Sequence, residues 1–126
     1  MYIMSKADLH KRLNSASEIT LSVKGRKSHR DIPRPVVHEG NTLYLMPNNG
    51  SDTNWYKNLL TNPTLKISVN GVKASAEGKP VTDSNRVDDI VRKFKSKYGE
   101  GEVKKYYTKF DVAAEVPLRQ LLLEVP

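Results

Sequence analysis

Cysteine is absent from this 126-residue chain, so disulfides, thiolate metal sites and thiol nucleophiles are excluded. Aromatic residues are few: one tryptophan, two phenylalanines and six tyrosines. No apolar run approaches the roughly 20 residues that a membrane-spanning helix needs. The N-terminal stretch lacks the pattern of a signal peptide, so a cytoplasmic location is expected. The three histidines, His10, His29 and His38, share no metal-ligand spacing and join no carboxylate cluster, so no metal site is expected. A G-x-S-x-G elbow, a G-x-G-x-x-G turn and a Walker loop are all missing, which argues against an α/β-hydrolase, a dinucleotide fold and an NTPase.

What the chain does have is positive charge. Lys and Arg number 21 against 14 Asp and Glu, a net charge of +7. Such a balance favours polyanionic partners: a phosphorylated cofactor, nucleic acid or an anionic surface. The length suits a single domain spanning residues 1–126. A hydrophobic content of 37% against 28% charged residues is globular, with a core small enough that self-association is plausible.

Hydrophobic patterning gives the element order. Ser5 and Asp8 open a short N-terminal helix. Strands follow over Glu18–Lys24, where Ile19, Leu21 and Val23 alternate, and over Ile32–His38. Pro33 and Pro35 each remove a backbone donor, so the second strand must be an edge or bulged. Glu39-Gly40-Asn41 turns into a third strand, Thr42–Met46. Asp52 or Thr53 caps a helix that runs through Thr61, with Asn62-Pro63 as its stop. Leu65–Val69 and Val72–Ala76 form a hairpin about Asn70-Gly71. Asp83-Ser84 opens the longest helix, with Val87, Ile90, Val91, Phe94 and Tyr98 on its apolar stripe and Gly99 at its end. Residues 102–110 add further helical turns. Val116–Val125 is the last strand, apolar enough at Leu121-Leu122-Leu123 to be central or covered. Six short strands with hairpin links and interspersed helices make a mainly β (α+β) fold, a six-stranded antiparallel split β-barrel with peripheral helices.

Two loops carry the chemistry. Gly25-Arg26-Lys27-Ser28-His29-Arg30 gathers cations and a hydroxyl suited to phosphate oxygens. Asn48-Asn49-Gly50-Ser51-Asp52 is a polar glycine loop that opens a helix and offers backbone N–H groups. Together they point to a site for a phosphorylated ligand. A basic barrel with aromatics also describes a single-stranded nucleic-acid binder. The charge is dispersed, however: the longest helix mixes Arg86, Arg92 and Lys93 with Asp88 and Asp89.

The order of basic turn, Pro-containing strand, hairpin, polar glycine loop and Trp55-Tyr56-Lys57-Asn58-Leu59-Leu60-Thr61-Asn62-Pro63 resembles the deazaflavin-dependent nitroreductase family. That family is one of the split β-barrel flavin-binding proteins, alongside the pyridoxamine 5'-phosphate oxidases. The resemblance spans about Glu18 to Val69, with a weaker echo at Val116-Pro117-Leu118. It implies an oxidoreductase that binds a deazaflavin (coenzyme F-420) or FMN and passes hydride to a quinone, nitro compound or enone.

By the same resemblance, Lys27 and Ser28 contact the cofactor phosphate, and Pro35, Val36 and Val37 line its ring. Asn48, Asn49, Gly50 and Trp55 lie on the other side. Tyr106 or Tyr107 faces substrate; no residue is required as an obligatory acid or base. A homodimer is implied, and a non-catalytic cofactor carrier would use the same loops. Four positions depart from the family pattern: His29 replaces a Gly, Ile32 an Arg, Asn49 a Lys, and Ala113-Ala114 an Arg. Arg30 or Arg34 stands close enough to replace the Arg missing at Ile32. These departures bear on cofactor identity more than on fold.

Overall fold

The computed structural model describes residues 18–24, 29–69, 72–117 and 122–123, with side chains over 35–68 and 74–117. The expected N-terminal helix, the turn residues Lys27 and Ser28, and the Asn70-Gly71 turn lie outside the described residues.

The described chain runs β1 (Glu18–Lys24), β2 (His29–Pro35), β3 (Val37–Glu39), β4 (Thr42–Leu45), a 3-10 turn (Gly50–Asp52), α1 (Asn54–Thr61), β5 (Thr64–Val69), β6 (Val72–Glu77), β7 (Lys79–Val81), α2 (Ser84–Tyr98), α3 (Glu100–Tyr106), β8 (Ala113–Pro117) and β9 (Leu122–Leu123). The strands form two antiparallel sheets, ordered β2-β1-β5-β6-β9 and β3-β4-β8-β7. The fold is α+β.

Among the described residues nine strands replace the six expected, because three segments change sheet. β2 gives way to β3 at Val36, β6 to β7 at Gly78, and β8 is followed by β9 in the other sheet. Bends of this kind let one strand serve two sheets packed at an angle. β2 starts at His29, earlier than the Ile32 expected, so His29 and Arg30 are strand residues. The last strand starts earlier than expected, at Ala113. β8 is central between β4 and β7, whereas β9 stands at the end of its sheet's order, so of the two alternatives for the leucine run, central or covered, β9 is not central.

The second sheet is buried on both faces. Alternation along β4 sends Leu43 and Leu45 one way and Tyr44 the other. Leu43, Leu45, Ala114 and Val116 meet Leu65, Ile67, Ala74 and Ala76 of the first sheet in one core. Trp55, Tyr56 and Leu59 of α1 are part of that same core, so this helix is not peripheral. The opposite face, with Val37, Val81 and Ala113, packs under Val87, Ile90, Phe94, Val103 and Tyr107 of α2, α3 and the turn after it.

Local chemistry fixes the helix ends. The Asp83 carboxylate accepts from the Arg86 N–H at 3.0 Å, as an N-cap should, and Gly99 takes φ 93° to end α2. Lys93 donates to Glu39 at 2.9 Å, and Arg86 pairs with Glu115, which ties α2 to β3 and β8. These exposed pairs orient the helix more than they stabilise it.

Candidate functional site

Val36 sits at the bend between β2 and β3, with its side chain fully buried. Pro35 is paired with Glu18 in one sheet and Val37 with Tyr44 in the other, so the backbone of Val36 falls between two ladders. A buried peptide group needs partners. The Tyr98 hydroxyl, at the C-terminal end of α2, supplies them: it accepts from the Val36 N–H at 2.9 Å and donates to the Val36 carbonyl at 2.7 Å. Lys97 Nζ donates to the same carbonyl at 2.6 Å. Burial pushes the Lys97 ammonium below its ordinary pKa. Tyr98 is held by Phe94, with ring centroids 6.0 Å apart. The three residues expected to line a ring are therefore dissimilar. Pro35 is half-buried, Val36 joins the core between the sheets, and Val37 joins the core under α2.

The polar glycine loop is a tightly bonded turn. Gly50 N–H donates to Pro47 O at 3.1 Å, and Thr53 N–H to Gly50 O at 3.0 Å. Thr53 is the N-cap of α1 by position, but its hydroxyl turns back and accepts from the Asn49 N–H at 2.9 Å. The segment after α3 runs alongside. Thr108 donates through its N–H to Asn48 O at 2.8 Å and through its hydroxyl to Asn49 Oδ1 at 2.9 Å.

Asp111 completes the turn. Its Oδ1 accepts from the Ser51 N–H at 3.0 Å, and its Oδ2 accepts from the Ser51 hydroxyl at 2.5 Å. Lys109 Nζ bridges to Asp52 at 3.1 Å and to Asp111 at 3.7 Å. Burial alone would raise the Asp111 carboxyl, but the two Ser51 bonds and then Lys109 outweigh it and hold the group below its ordinary value. Gly50 has φ 53°, and a Cβ there would run into Asp111 Oδ1.

Trp55 is 2% exposed, and its indole N–H has no acceptor among the described residues. Burying such a donor unpaired costs on the order of 1–3 kcal/mol. Tyr56, next to it, has its pKa raised by burial and by the Asp111 charge. Tyr107 is buried and edge-on to Phe94, whereas Tyr106 is 39% exposed and 4.9 Å from Tyr107, ring to ring.

The fold thus brings Val36 and Trp55 into one core, Val37 and Tyr107 into the other, and Asn48, Asn49 and Gly50 against residues 108–111. Arg34 lies in β2 opposite Ile19, and its side chain is outside the described residues. Sequence reasoning missed Lys97, Thr108, Lys109 and Asp111 and read Tyr98 as ordinary core. The signal for Asp111 was an acidic residue just before a strand, too common to single out. No group of three or more His, Asp or Glu residues suits a metal ion, and no helix is long and apolar enough to cross a membrane, among the described residues.

Comparison with known structures places this geometry. A Listeria innocua protein assigned as a pyridoxamine 5'-phosphate oxidase superimposes with a TM-score of 0.65 at 13% identity, over 94% of this chain and 96% of that one. A Bacteroides thetaiotaomicron protein assigned to 5-nitroimidazole antibiotic resistance gives 0.69 at 15% identity, over 96% and 84%. An F420-H2-dependent reductase gives 0.56 at 16% identity, over 79% and 93%. At such identities the likeness shows the fold, that of the split-barrel proteins related to pyridoxamine 5'-phosphate oxidase. No curated protein matches the chain. Its sequence matches one family over residues 10–118, and the protein belongs to that family: the uncharacterized proteins conserved in bacteria designated DUF2255.

Proposed function

We propose that this protein is an oxidoreductase that binds one deazaflavin or FMN per subunit and passes hydride to a small electrophile such as a quinone, nitro compound or enone. The observation that carries the reading is the buried Trp55 indole N–H, on the helix that follows the polar glycine loop, which finds no acceptor among the described residues. A ring carbonyl or nitrogen is the acceptor such a donor lacks. Support comes from the fold shared with an oxidase-like protein and an F420-H2-dependent reductase. The pairing order also supports reading the two sheets as halves of one split barrel, since three segments run through both.

In this reading Lys27 and Ser28 hold the phosphate, with Arg34 nearby. Pro35, Val36 and Val37 form one wall, and Asn48, Asn49, Gly50 and Trp55 the other. When bound, the cofactor supplies the hydride chemistry. The chain supplies orientation and a dry wall. Tyr98 and Lys97 already satisfy the Val36 N–H and carbonyl, so the Val36 backbone asks nothing of a ligand. Tyr106, being exposed, suits a substrate-side role better than Tyr107 and can give up its hydroxyl proton to a product. A homodimer in the cytoplasm belongs to the same reading; Leu60, 59% exposed on α1, is an apolar residue that a second subunit would cover.

Trp55 is the sole tryptophan, so fluorescence excited selectively at tryptophan, clear of the tyrosines, reports on this position alone. Titration with FMN, and separately with the deazaflavin, should quench it saturably near one equivalent per chain, and reduced cofactor should then be reoxidised by a quinone. Quenching without reoxidation would leave a carrier. No quenching by either compound, with strongly salt-dependent oligonucleotide binding, would replace the reading with a nucleic-acid one.

A further inference from the structure

The polar glycine loop has the donors of an anion site, and they are already engaged by a carboxylate of the chain itself. Ser51 gives a backbone N–H and a hydroxyl to the two oxygens of Asp111, at 3.0 and 2.5 Å. Lys109 adds an ammonium 3.7 Å from Asp111. Gly50 leaves the space the carboxylate fills, because a Cβ there would collide with Asp111 Oδ1 and stand 3.0 Å from Lys109 Cβ. Two hydrogen bonds to one carboxylate, a cation and a vacated Cβ position make a built seat.

We infer that Asp111 is a specificity-determining residue: it occupies the anion seat of the 49–52 loop from within, so a ligand edge that meets this loop must be uncharged. Charge reinforces occupancy. Among the described residues Lys109 is the cation that Asp52 and Asp111 both pair with, so this trio carries one negative charge in excess despite the basic chain. A second anionic group on a ligand would meet both a filled seat and a repulsive field. The inference deepens the proposed function, since it selects among flavin-type cofactors by the number of charges beyond the first phosphate. The seat itself does not depend on that reading.

Two measurements separate them. Asp111→Gly deletes CH2COO− and leaves room for acetate. Acetate at about 0.1 M should raise the Tm of Asp111→Gly by roughly 2–4 °C over chloride of equal ionic strength, as ligand linkage requires. Wild type and the double variant Asp111→Gly/Ser51→Ala should show no such rise. If Asp111→Gly does not fold in chloride, refolding in acetate is the readout. No rescue, or equal stabilisation of all three proteins, would overturn the seat.

Asp111→Asn keeps an acceptor for the Ser51 N–H and removes the charge. Its deazaflavin-to-FMN affinity ratio should exceed that of wild type by about 5- to 10-fold, the effect of one screened charge near a surface, because the deazaflavin tail carries carboxylates beyond its phosphate. Flavin binding with an unchanged ratio would sink the specificity role and leave the proposed function standing. Absence of flavin binding in wild type would remove the proposed function, and the acetate result would still decide the seat.

Discussion

One hydroxyl, that of Tyr98, answers both backbone groups of Val36, a residue 62 positions earlier: it accepts at 2.9 Å and donates at 2.7 Å. The bend where the chain leaves one sheet for the other is thereby stitched to the end of α2. Tyr98→Phe keeps the ring against Phe94 and removes only the oxygen. The expected loss is about 1–3 kcal/mol of unfolding free energy, the range for a buried group left unsatisfied. Denaturant melts would show it, and faster hydrogen exchange at the Val36 amide would localise it. Exchange unchanged at Val36 would contradict the stitch.

Two glycines with similar torsions should respond differently to alanine. Gly40 has φ 60° and open space around it; Gly50 has φ 53° and the Asp111 carboxylate where its Cβ would go. Gly40→Ala should cost only the left-handed penalty, roughly 1–2 kcal/mol. Gly50→Ala should cost more, because Asp111 must also give up its seat. Equal melting temperatures for the two variants would argue against the close approach.

Gly78 marks the other bend. Its N–H donates to Pro63 O at 2.8 Å, and an added Cβ would stand 2.8 Å from Cδ1 of both Leu59 and Leu65. Gly78→Ala should destabilise by about 1–3 kcal/mol through overpacking. Combined with Leu59→Ala, whose cavity makes room, it should destabilise by less than the sum of the two single variants. Strict additivity in that double-mutant cycle would refute the clash.

Acid should act through Asp111. Its folded pKa is depressed below the ordinary 3.8, so its contribution is present above that value and is lost as pH falls through the folded pKa. Asp111→Asn should therefore be less stable than wild type at neutral pH, and the gap should close at strongly acidic pH. A gap that persisted unchanged there would assign the effect to shape and not to charge.

Features set by neighbouring residues were legible in the sequence. Glu39-Gly40-Asn41 announced the hairpin that pairs Glu39 with Thr42, and Asp83 and Gly99 bounded α2 as their chemistry requires. The alternation of Leu65 and Ile67 gave the buried face of β5. Relations across the chain were not legible. Asp111 meets Ser51 over 60 positions, and a lone aspartate before a strand carries no mark of its partner. Tyr98 fits an apolar stripe, which hides that its hydroxyl serves a distant bend. The changes of sheet at Val36 and Gly78 were invisible for the same reason: patterning tells which side of a strand is buried, not which ladder it joins.

Segments 29–39 and 72–81 each run through both sheets, and β8 and β9 divide a third stretch between them. A molecule laced in this way has no seam along which half of it can melt. Its denaturation should be all-or-none, with every spectroscopic probe tracing one curve, and its folding should be slowed by the long chain loops that must close before either layer is complete.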